Sequence, residues 1–397
     1  MTDLDNRQWP ERLKVDPERK GKSITSRKAM SRQTSFVSRG FMLCKELGFH
    51  GVRRPIPADE SRISALAVGA RNRVYGITSG ERPHVFLYCS GPGEGVVLDL
   101  GVVDGATDLG RSIVAWDQKT VFVGTSPAPG RVVKCSVHRS HMDCVQEWSH
   151  SPGVFEDVAV PLPGEGIACL AGDPEFGRLY GLTDQTGTFF HVDVESGEVT
   201  LFETVDDLGH FSRTLLVTRT GDVYGTGAQG RLFCYSPHYV TGPEEIDAAL
   251  PSVPGRAMYA RVDSWVEHPA TGIIYGGTEA DGMLFAFDPS TRDVRPLGKP
   301  TPASRIPAIT VGKDGIVYGF SGEDGSIGQM FAYDPQEGTL ENLGIPLATT
   351  EIRRYGYEFA AAAAGADGEI YLGENDRGGC LFVYFPPMPP TDTGPTG

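Results

Sequence analysis

Arginine, tyrosine and histidine side chains recur at one place in a repeated sequence, and together these residue types can bind and act on an anion. Arg62 and Arg305 lie 13 residues before the tyrosine of a repeated Tyr-Gly motif, and Glu358 has the same offset in the last copy. Because a guanidinium group binds a carboxylate through two parallel hydrogen bonds, this pattern predicts an anionic ligand. Near the corresponding point of the other copies, or just before Glu358, lie Arg111, His210, Arg213, Tyr259, Arg261, Arg354 and Tyr357.

If the ligand is a uronate sugar, the same residues could also carry out an elimination. Arginine would neutralise the carboxylate, and the proton on the adjacent carbon would become more acidic. A histidine or tyrosine would then remove that proton, while a tyrosine or the same base protonates the leaving oxygen. We predict His210 and Tyr259 as catalytic residues, with Tyr357 as a substitute. The predicted substrate-binding residues are Arg62, Arg111, Arg213, Arg261, Arg305, Arg354 and Glu358.

A salt bridge is the other interpretation of each of these arginines. The chain holds 51 Asp and Glu against 36 Lys and Arg, so an acidic partner in a neighbouring repeat is available to any of them. Exposed pairs of this kind contribute little to stability and need no ligand.

A sequence repeat must position these residues. In each copy, a strand with the Tyr-Gly motif is followed by a polar turn and by a second strand with the pattern Leu-Phe-x-Tyr. The copies are centred on Tyr75, a weaker Phe122, Tyr180, Tyr224, Tyr275, Tyr318 and Tyr371. Successive centres are 47, 58, 44, 51, 43 and 53 residues apart, a period typical of propeller blades. Runs of β-branched and aromatic residues between Gly-rich turns predict four short strands in each copy. The sequence therefore predicts an all-β, seven-bladed β-propeller with four-stranded antiparallel blades.

An N-terminal strand is predicted to close the ring. Several copies end their fourth strand in Leu-Gly, but the last copy runs from Tyr384 into prolines, which cannot continue a ladder. The missing signature occurs ahead of the first copy, so residues 40–48 are predicted to be the outer strand of the last blade. The predicted organisation is a basic arm at 1–39, one propeller at 40–387 and a tail rich in proline and glycine at 388–397.

Functional residues are expected at the mouth of the central channel, where the innermost strands begin. The connections that open on that face are long at 49–61, 150–165, 238–259 and 345–357. Binding residues concentrate on loops that a rigid scaffold holds in place. Equivalent offsets in successive blades should therefore bring the chemically unusual side chains together around one axis.

Charge is divided unevenly between the arm and the ring. Residues 1–40 carry a net charge of +5, and the remainder carries −20. The arm is predicted either to be a solvated, flexible tail or to dock on an acidic surface of a second subunit, another protein or its own ring. Nucleic acid is not expected as a partner, because an acidic ring repels phosphates. The absence of an apparent signal peptide or membrane span favours a cytoplasmic protein without membrane contact.

Cysteine and acidic residues give no firm indication of a cofactor. The seven cysteines lack Cys-x-x-Cys spacing, which favours reduced thiols, with a bridge between Cys135 and Cys144 as the alternative. Acidic turns such as the one at Glu323 and Asp324 leave a divalent cation open, but Asp and Glu beside glycine are ordinary turn formers. We therefore predict neither a cofactor nor a metal site.

The repeat, best seen at 314–338 and partly at 271–289, resembles the blade repeat of one group of seven-bladed propellers. This group comprises quinoprotein-like, virginiamycin B lyase-like and polysaccharide lyase propellers. The resemblance covers nearly the whole ring and specifies a blade rather than a reaction. Lyases of that group that act on uronate sugars use His, Tyr and Arg at the channel mouth, which is similar to the sets at 210–213, 259–261 and 353–358. The resemblance implies a carbon-oxygen lyase acting on an acidic saccharide.

The alternative function belongs to a different class. A non-catalytic propeller subunit would use its rim and its basic N-terminal arm to assemble with another protein or with a second copy. In that case the candidate site residues should be dispersed or paired with one another.

Overall fold

The structure, a computed structural model, describes residues 36–48, 55–69, 73–90, 95–137, 152–205, 211–238, 242–349, 353–376 and 378–387. These residues form seven four-stranded antiparallel sheets and one two-stranded sheet. Within each four-stranded sheet, strands that follow one another in the chain are hydrogen-bonded neighbours, except where the chain terminus completes the last sheet. The prediction of a seven-bladed β-propeller is therefore confirmed.

Blades 1 to 4 each take four consecutive strands from the chain. Blade 1 consists of β2 (Arg62–Gly69), β3 (Arg73–Ser79), β4 (His84–Cys89) and β5 (Val96–Val102). Blade 2 consists of β6 (Ile113–Ala115), β7 (Thr120–Gly124), β8 (Val132–Ser136) and β9 (Val154–Ala159). Blade 3 consists of β10 (Ile167–Asp173), β11 (Arg178–Thr183), β12 (Thr188–Asp193) and β13 (Val199–Thr204). Blade 4 consists of β14 (Leu216–Val217), β15 (Val223–Thr226), β16 (Arg231–Tyr235) and β17 (Glu244–Ala249).

Blades 5 to 7 complete the ring. Blade 5 consists of β18 (Arg261–Glu267), β19 (Ile274–Glu279), β20 (Leu284–Asp288) and β21 (Asp293–Gly298). Blade 6 consists of β22 (Ala308–Val311), β23 (Val317–Ser321), β24 (Gln329–Asp334) and β25 (Thr339–Gly344). Blade 7 consists of β28 (Phe359–Ala364), β29 (Ile370–Glu374), β30 (Cys380–Phe385) and β1 (Phe41–Glu46). A hairpin of β26 (Leu347–Ala348) and β27 (Arg354–Tyr355) joins blades 6 and 7, and short 3-10 helices lie at Ala58–Glu60, Ala228–Gly230 and Ala257–Tyr259.

The repeated Tyr-Gly and Leu-Phe motifs follow a single packing rule. In blade 1, Gly76 lies opposite Phe86 on the next strand, and a Cβ added at Gly76 would lie 2.1 Å from the phenyl ring. The same relation holds in blade 6, where a Cβ on Gly319 would lie 2.3 Å from the ring of Phe331. In these blades glycine leaves room for the aromatic ring across the strand pair. Blades 1, 3, 4, 5 and 6 share this pair, whereas Leu372 faces Phe382 in blade 7 and Val123 faces Val133 in blade 2. The motif therefore recurs because it packs the blade core, not because it takes part in chemistry.

The ring closes as predicted from the sequence. Strand β1 pairs with β30 in an antiparallel ladder that runs from Phe41 opposite Phe385 to Glu46 opposite Cys380. Just before β1, the Val37 amide donates a hydrogen bond to the Ile345 carbonyl (2.9 Å). The last residues of the predicted arm thus contact the connection between blades 6 and 7, whereas residues 1–35 and 388–397 lie outside the described residues.

The cysteine predictions need two corrections. Cys89 is disulfide-bonded, whereas reduced thiols were expected. Cys135 is a buried free thiol on β8, so it does not form the alternative bridge to Cys144, a residue outside the described ranges. Burial raises the pKa of the Cys135 thiol to about 12, which keeps it protonated and unreactive. Among the described residues, no helix has the length and apolar character that spanning a bilayer requires.

The closing strand should be important for stability through its buried residue. Met42 on β1 is 5% exposed and packs in the core between blades 6 and 7, whereas its neighbour Phe41 is 48% exposed. We expect Met42→Ala to lower the free energy of unfolding by about 2–5 kcal/mol through the cavity that it creates. Phe41→Ala should cost less than half as much. Denaturant unfolding of both variants checks this, and equal losses would show that β1 does not close the core.

Candidate functional site

A β-bulge near the start of the innermost strand recurs in four blades and directs one side chain toward the channel. The extra residue is Ser64 in blade 1, Ala168 in blade 3, Asp263 in blade 5 and Ala360 in blade 7. A bulge re-aims a side chain and bends its strand. Three of these positions hold small residues that line one cavity, and the fourth holds a buried carboxylate.

That cavity lies at the channel mouth and has a volume of about 520 Å³. Residues of six blades line it, from the starts of the innermost strands and from the turns between second and third strands. Its charged lining residues are Asp108, Arg111, Asp184, Arg213, Arg305, Glu323, Asp324 and Glu358, and its neutral polar ones are Ser64, Ser79, Ser126, Gln185 and Asn375. Four predicted site residues, Arg111, Arg213, Arg305 and Glu358, are thus brought together.

Asp263 holds two of these arginines in place. Arg305 donates to both carboxylate oxygens of Asp263, from Nε to Oδ2 and from Nη2 to Oδ1, each at 3.0 Å. Arg111 donates from Nη2 to Oδ1 at 3.0 Å and from Nη1 to the Asp263 backbone carbonyl. Because Arg111 precedes blade 2 and Asp263 belongs to blade 5, this contact spans the channel. We refer to these three residues as the floor cluster.

The floor cluster keeps a positive charge under the cavity. The Asp263 side chain is 2% exposed, and burial alone would raise its pKa. The two neighbouring guanidinium groups outweigh burial and hold the pKa of Asp263 below its ordinary value, so it is ionised at neutral pH. One carboxylate between two guanidinium groups leaves a formal charge of +1.

Carboxylates surround the floor cluster, and most of them accept hydrogen bonds from backbone amides. Gly166 donates to Asp184 at 2.9 Å, Gly325 donates to Glu358 at 2.6 Å, and Ser304 donates to Glu323 at 2.7 Å. The backbone hydrogen bond from Ser304 lowers the pKa of Glu323. These groups form an acidic rim with oxygens fixed by the turns.

A second cavity, of about 510 Å³, adjoins the first and shares Arg305 with it. Tyr259 and Arg261 line this second cavity together with Arg256 and Glu279. Arg261 forms a two-bond ion pair with Glu279, from Nε at 2.8 Å and from Nη2 at 3.0 Å. These two predicted site residues therefore lie beside the channel mouth rather than in its main cavity.

The other predicted site residues are not part of either cavity. Arg62 is exposed at the start of β2 and Tyr357 is stacked on Tyr355, and neither lines the cavities described above. Arg354 binds Glu46 and Glu374 at the ring closure, so its role there is structural. The remaining predicted residue, His210, lies outside the described residues.

Sequence reasoning missed Asp263, although the sequence does carry a signal for it. At the bulge position the other three blades hold Ser64, Ala168 and Ala360, so an aspartate there breaks the repeat. Its partners could not be identified from the sequence, because Arg111 lies 152 residues away along the chain. Within the described part of the chain, no group of three or more His, Cys, Asp or Glu side chains is arranged to hold a metal ion.

Solved structures share this architecture with little sequence identity. A catalytically inactive virginiamycin B lyase from Staphylococcus aureus with quinupristin matches with a TM-score of 0.59 and 11% identity, over 87% of this chain and 99% of that one. YCF48 bound to a peptide matches with a TM-score of 0.56 and 11% identity, over 88% and 98% of the two chains. The shared feature is the β-propeller. The predicted resemblance is thus confirmed for the fold, and at these identities for the fold alone.

A third solved structure is longer than this chain. It is the extracellular domain of a one component system from B. thetaiotaomicron, with a TM-score of 0.56 and 13% identity over 88% of this chain. The chain spans only 40% of that structure's length. No protein-family model and no curated protein matches the sequence.

Removing the charge of Asp263 should be costly, because it leaves Arg111 without its carboxylate partner and Arg305 paired with the exposed Asp324. We expect Asp263→Asn to lower the free energy of unfolding by about 3–5 kcal/mol, the usual cost of breaking a buried pair. Asp324→Asn is the matched control, since Asp324 also binds Arg305 at 3.0 Å but is 85% exposed. It should cost less than about 1 kcal/mol. Denaturant unfolding measures both, and similar losses would contradict the structural role of Asp263.

Glu374 should make the folded state less stable as the pH rises. Burial raises its pKa from an ordinary 4.5 to about 7, despite the nearby Arg354. The folded protein then binds a proton that the unfolded chain releases, so stability declines between about pH 4.5 and pH 7. Between these pH values we expect the free energy of unfolding of the Glu374→Gln variant to fall by up to about 3 kcal/mol less than that of the unmodified sequence. Unfolding curves at several pH values check this, with Glu337→Gln, at an exposed turn, as the control that should leave the decline unchanged.

Proposed function

We propose that the channel mouth binds a small hydroxylated ligand that carries one carboxylate, as a uronic acid does. The observation that supports this most directly is the floor cluster of Arg111, Asp263 and Arg305, a fixed cationic group beneath an open polar cavity. A guanidinium group held by a buried carboxylate is already oriented, so it loses little conformational entropy when it binds an anion.

The arginines retain hydrogen-bonding capacity toward the cavity. Arg305 uses three of its five N–H groups on Asp263 and Asp324, and Arg111 uses two on Asp263. Arg213 lines the same cavity, is exposed, and has no hydrogen-bond partner among the described residues. A ligand carboxylate could therefore accept several charge-assisted hydrogen bonds at once.

The acidic rim restricts the ligand to few negative charges. Five carboxylates and three arginines line the cavity, so a polyanionic chain would be repelled by more groups than attract it. Ligand hydroxyl groups, in contrast, can donate to the rim. The buried Oδ1 of Asn375 has no hydrogen-bond partner among the described residues and would accept such a donor.

Elimination chemistry stays a prediction. It needs a base within hydrogen-bond reach of the proton next to the ligand carboxylate. Tyr259 lines the adjoining cavity and Tyr357 lines neither cavity, while His210 lies outside the described residues. The virginiamycin B lyase likeness supports the scaffold for such a reaction and identifies no base in this chain.

The alternative function, assembly through the rim and the basic arm, also stays a prediction. Residues 1–35, which would carry most of that contact, lie outside the described residues. The last part of the arm contacts the ring itself, where Arg39 forms an ion pair with Glu341 at 2.8 Å.

Calorimetric titration with glucuronate and with glucose tests the proposed ligand class. We expect glucuronate to bind and glucose to bind at least about tenfold more weakly, since charge-assisted hydrogen bonds contribute about 1.5–3 kcal/mol. Arg213→Gln should weaken glucuronate binding about tenfold or more. Arg231→Gln is the control, because Arg231 pairs with Glu245 on outer strands and should not affect binding. Equal binding of the two sugars, or no binding of glucuronate, would refute the proposal.

A further inference from the structure

Two thiols are in contact across the strand pair that closes the ring. Cys44 lies on β1 and Cys380 begins β30, and both are free cysteines. Cys44 lies opposite Phe382, so Cys44 and Cys380 are diagonal neighbours on one face of the ladder. Cys380 belongs to the apolar cluster between blades 6 and 7 and Cys44 packs against it, while Cys380 Sγ donates to the Gly378 carbonyl at 3.7 Å.

Charged groups at the ring closure favour a thiolate at Cys44. The neighbouring Cys380 and the nearby Arg354 guanidinium lower the pKa of Cys44. The neighbouring Cys44, together with burial, raises the pKa of Cys380. Arg354 is fixed by Glu46 at 2.8 Å and Glu374 at 3.2 Å, the other charged groups next to the thiols. Cys44 is partly exposed, whereas Cys380 is fully buried.

The other free thiols of the described residues have different surroundings. Burial raises the pKa of Cys135 and of Cys169 to about 12, and that of Cys234 to about 11. Thiolate is the reactive form of cysteine, so these three thiols should react slowly. Cys44 therefore differs from them both in the direction of its pKa shift and in having a second thiol as a diagonal neighbour.

We propose that Cys44 and Cys380 form a peroxide-reactive dithiol that oxidises reversibly to a disulfide across the ring closure. The Cys44 thiolate attacks one oxygen of hydrogen peroxide, the O–O bond breaks, and the departing hydroxide takes up a proton to become water. The sulfur of Cys380 then displaces the hydroxyl group of the Cys44 sulfenic acid as a second water. The two thiols lose two electrons and two protons, and the peroxide gains them.

The geometry of the strand pair predicts a disulfide that is readily reduced. Diagonal neighbours in an antiparallel ladder have Cα atoms about 7–8 Å apart, beyond the usual disulfide range of about 4.4–6.8 Å. The strands must move slightly closer for the bond to form, which leaves some strain in it. Strained disulfides have higher reduction potentials and are the labile ones. A thiol reductant should therefore reverse the modification.

The bond would tie the first strand of the ring to the last. It joins positions 44 and 380, so the loop it closes contains nearly the whole propeller. Cross-links that close long loops restrict the unfolded chain the most. The oxidised protein should resist denaturant more than the reduced protein, because β1 can no longer separate from β30.

Peptide mapping of the full chain after hydrogen peroxide treatment tests the proposal without any variant. We expect non-reducing digestion to yield a disulfide-linked pair of peptides that contain Cys44 and Cys380, and dithiothreitol to abolish it. Before oxidation, iodoacetamide should modify Cys44 at least about tenfold faster than Cys234. A sulfinic or sulfonic acid at Cys44 without the linked pair, or no modification at Cys44, would overturn the proposal.

Three variants separate a specific dithiol from general oxidation. Cys380→Ser should leave Cys44 reactive but give no linked peptides and no rise in the denaturation midpoint on oxidation. Arg354→Gln should slow modification of Cys44, since the charge that favours its thiolate is removed. Cys234→Ser is the matched control and should behave as the unmodified sequence does. Equal Cys44 labelling rates in the Arg354→Gln variant and the unmodified sequence would contradict the role of Arg354.

Discussion

The hydrogen bonds between β1 and β30 are the interaction on which the rest of the ring depends. Without β1, blade 7 would have three strands and an unpaired edge, and Met42 would be missing from the core between blades 6 and 7. Arg354 strengthens the same junction, because it joins Glu46 on β1 to Glu374 on β29. Each blade packs on its two neighbours, so closure also sets the width of the channel. The hydrogen bond from Arg111 to Asp263 joins the start of blade 2 to blade 5 across the channel. It can therefore form only when the channel has a fixed width.

The blade repeat separates the residues that fold the protein from those that can bind a ligand. The glycine of the Tyr-Gly motif makes room for a phenylalanine ring, and this pair recurs in blades 1, 3, 4, 5 and 6 because it fills the core of the sheet. The bulge in the innermost strand recurs as well, but the side chain it presents does not. Serine or alanine occupies it in blades 1, 3 and 7, and Asp263 occupies it in blade 5. Asp263 therefore places a buried charge on a backbone irregularity that blades 1, 3 and 7 also have.

Prediction from the sequence succeeded where a property is local or periodic. Four strands were expected in each copy, and all seven blades have them. The offset from the motif tyrosine likewise brought Arg305 and Glu358 to one cavity. It did not succeed where a side chain has a partner far along the chain. Arg354 has an offset close to that of Glu358, yet it turns to Glu46, 308 residues away. Acidic turn residues were interpreted as turn formers or as ligands of a divalent cation, not as the lining of an anion site. Glu323 does accept a backbone hydrogen bond, and it also lines the cavity.

The distribution of charge at the mouth explains why an acidic ring could still accept an anion. A buried carboxylate costs several kcal/mol to desolvate, and one guanidinium at about 4 Å returns about 4 kcal/mol in the partly screened environment of a protein surface. Two arginines around Asp263 therefore keep it ionised, and among the described residues the positive charge that remains is paired only with the exposed Asp324. Asp324 on the rim is largely exposed, so its repulsion of an anion is reduced by solvent and salt. A single ligand carboxylate placed at the floor would interact more strongly with the arginines than with the rim, whereas each further negative charge would lie nearer to the rim carboxylates.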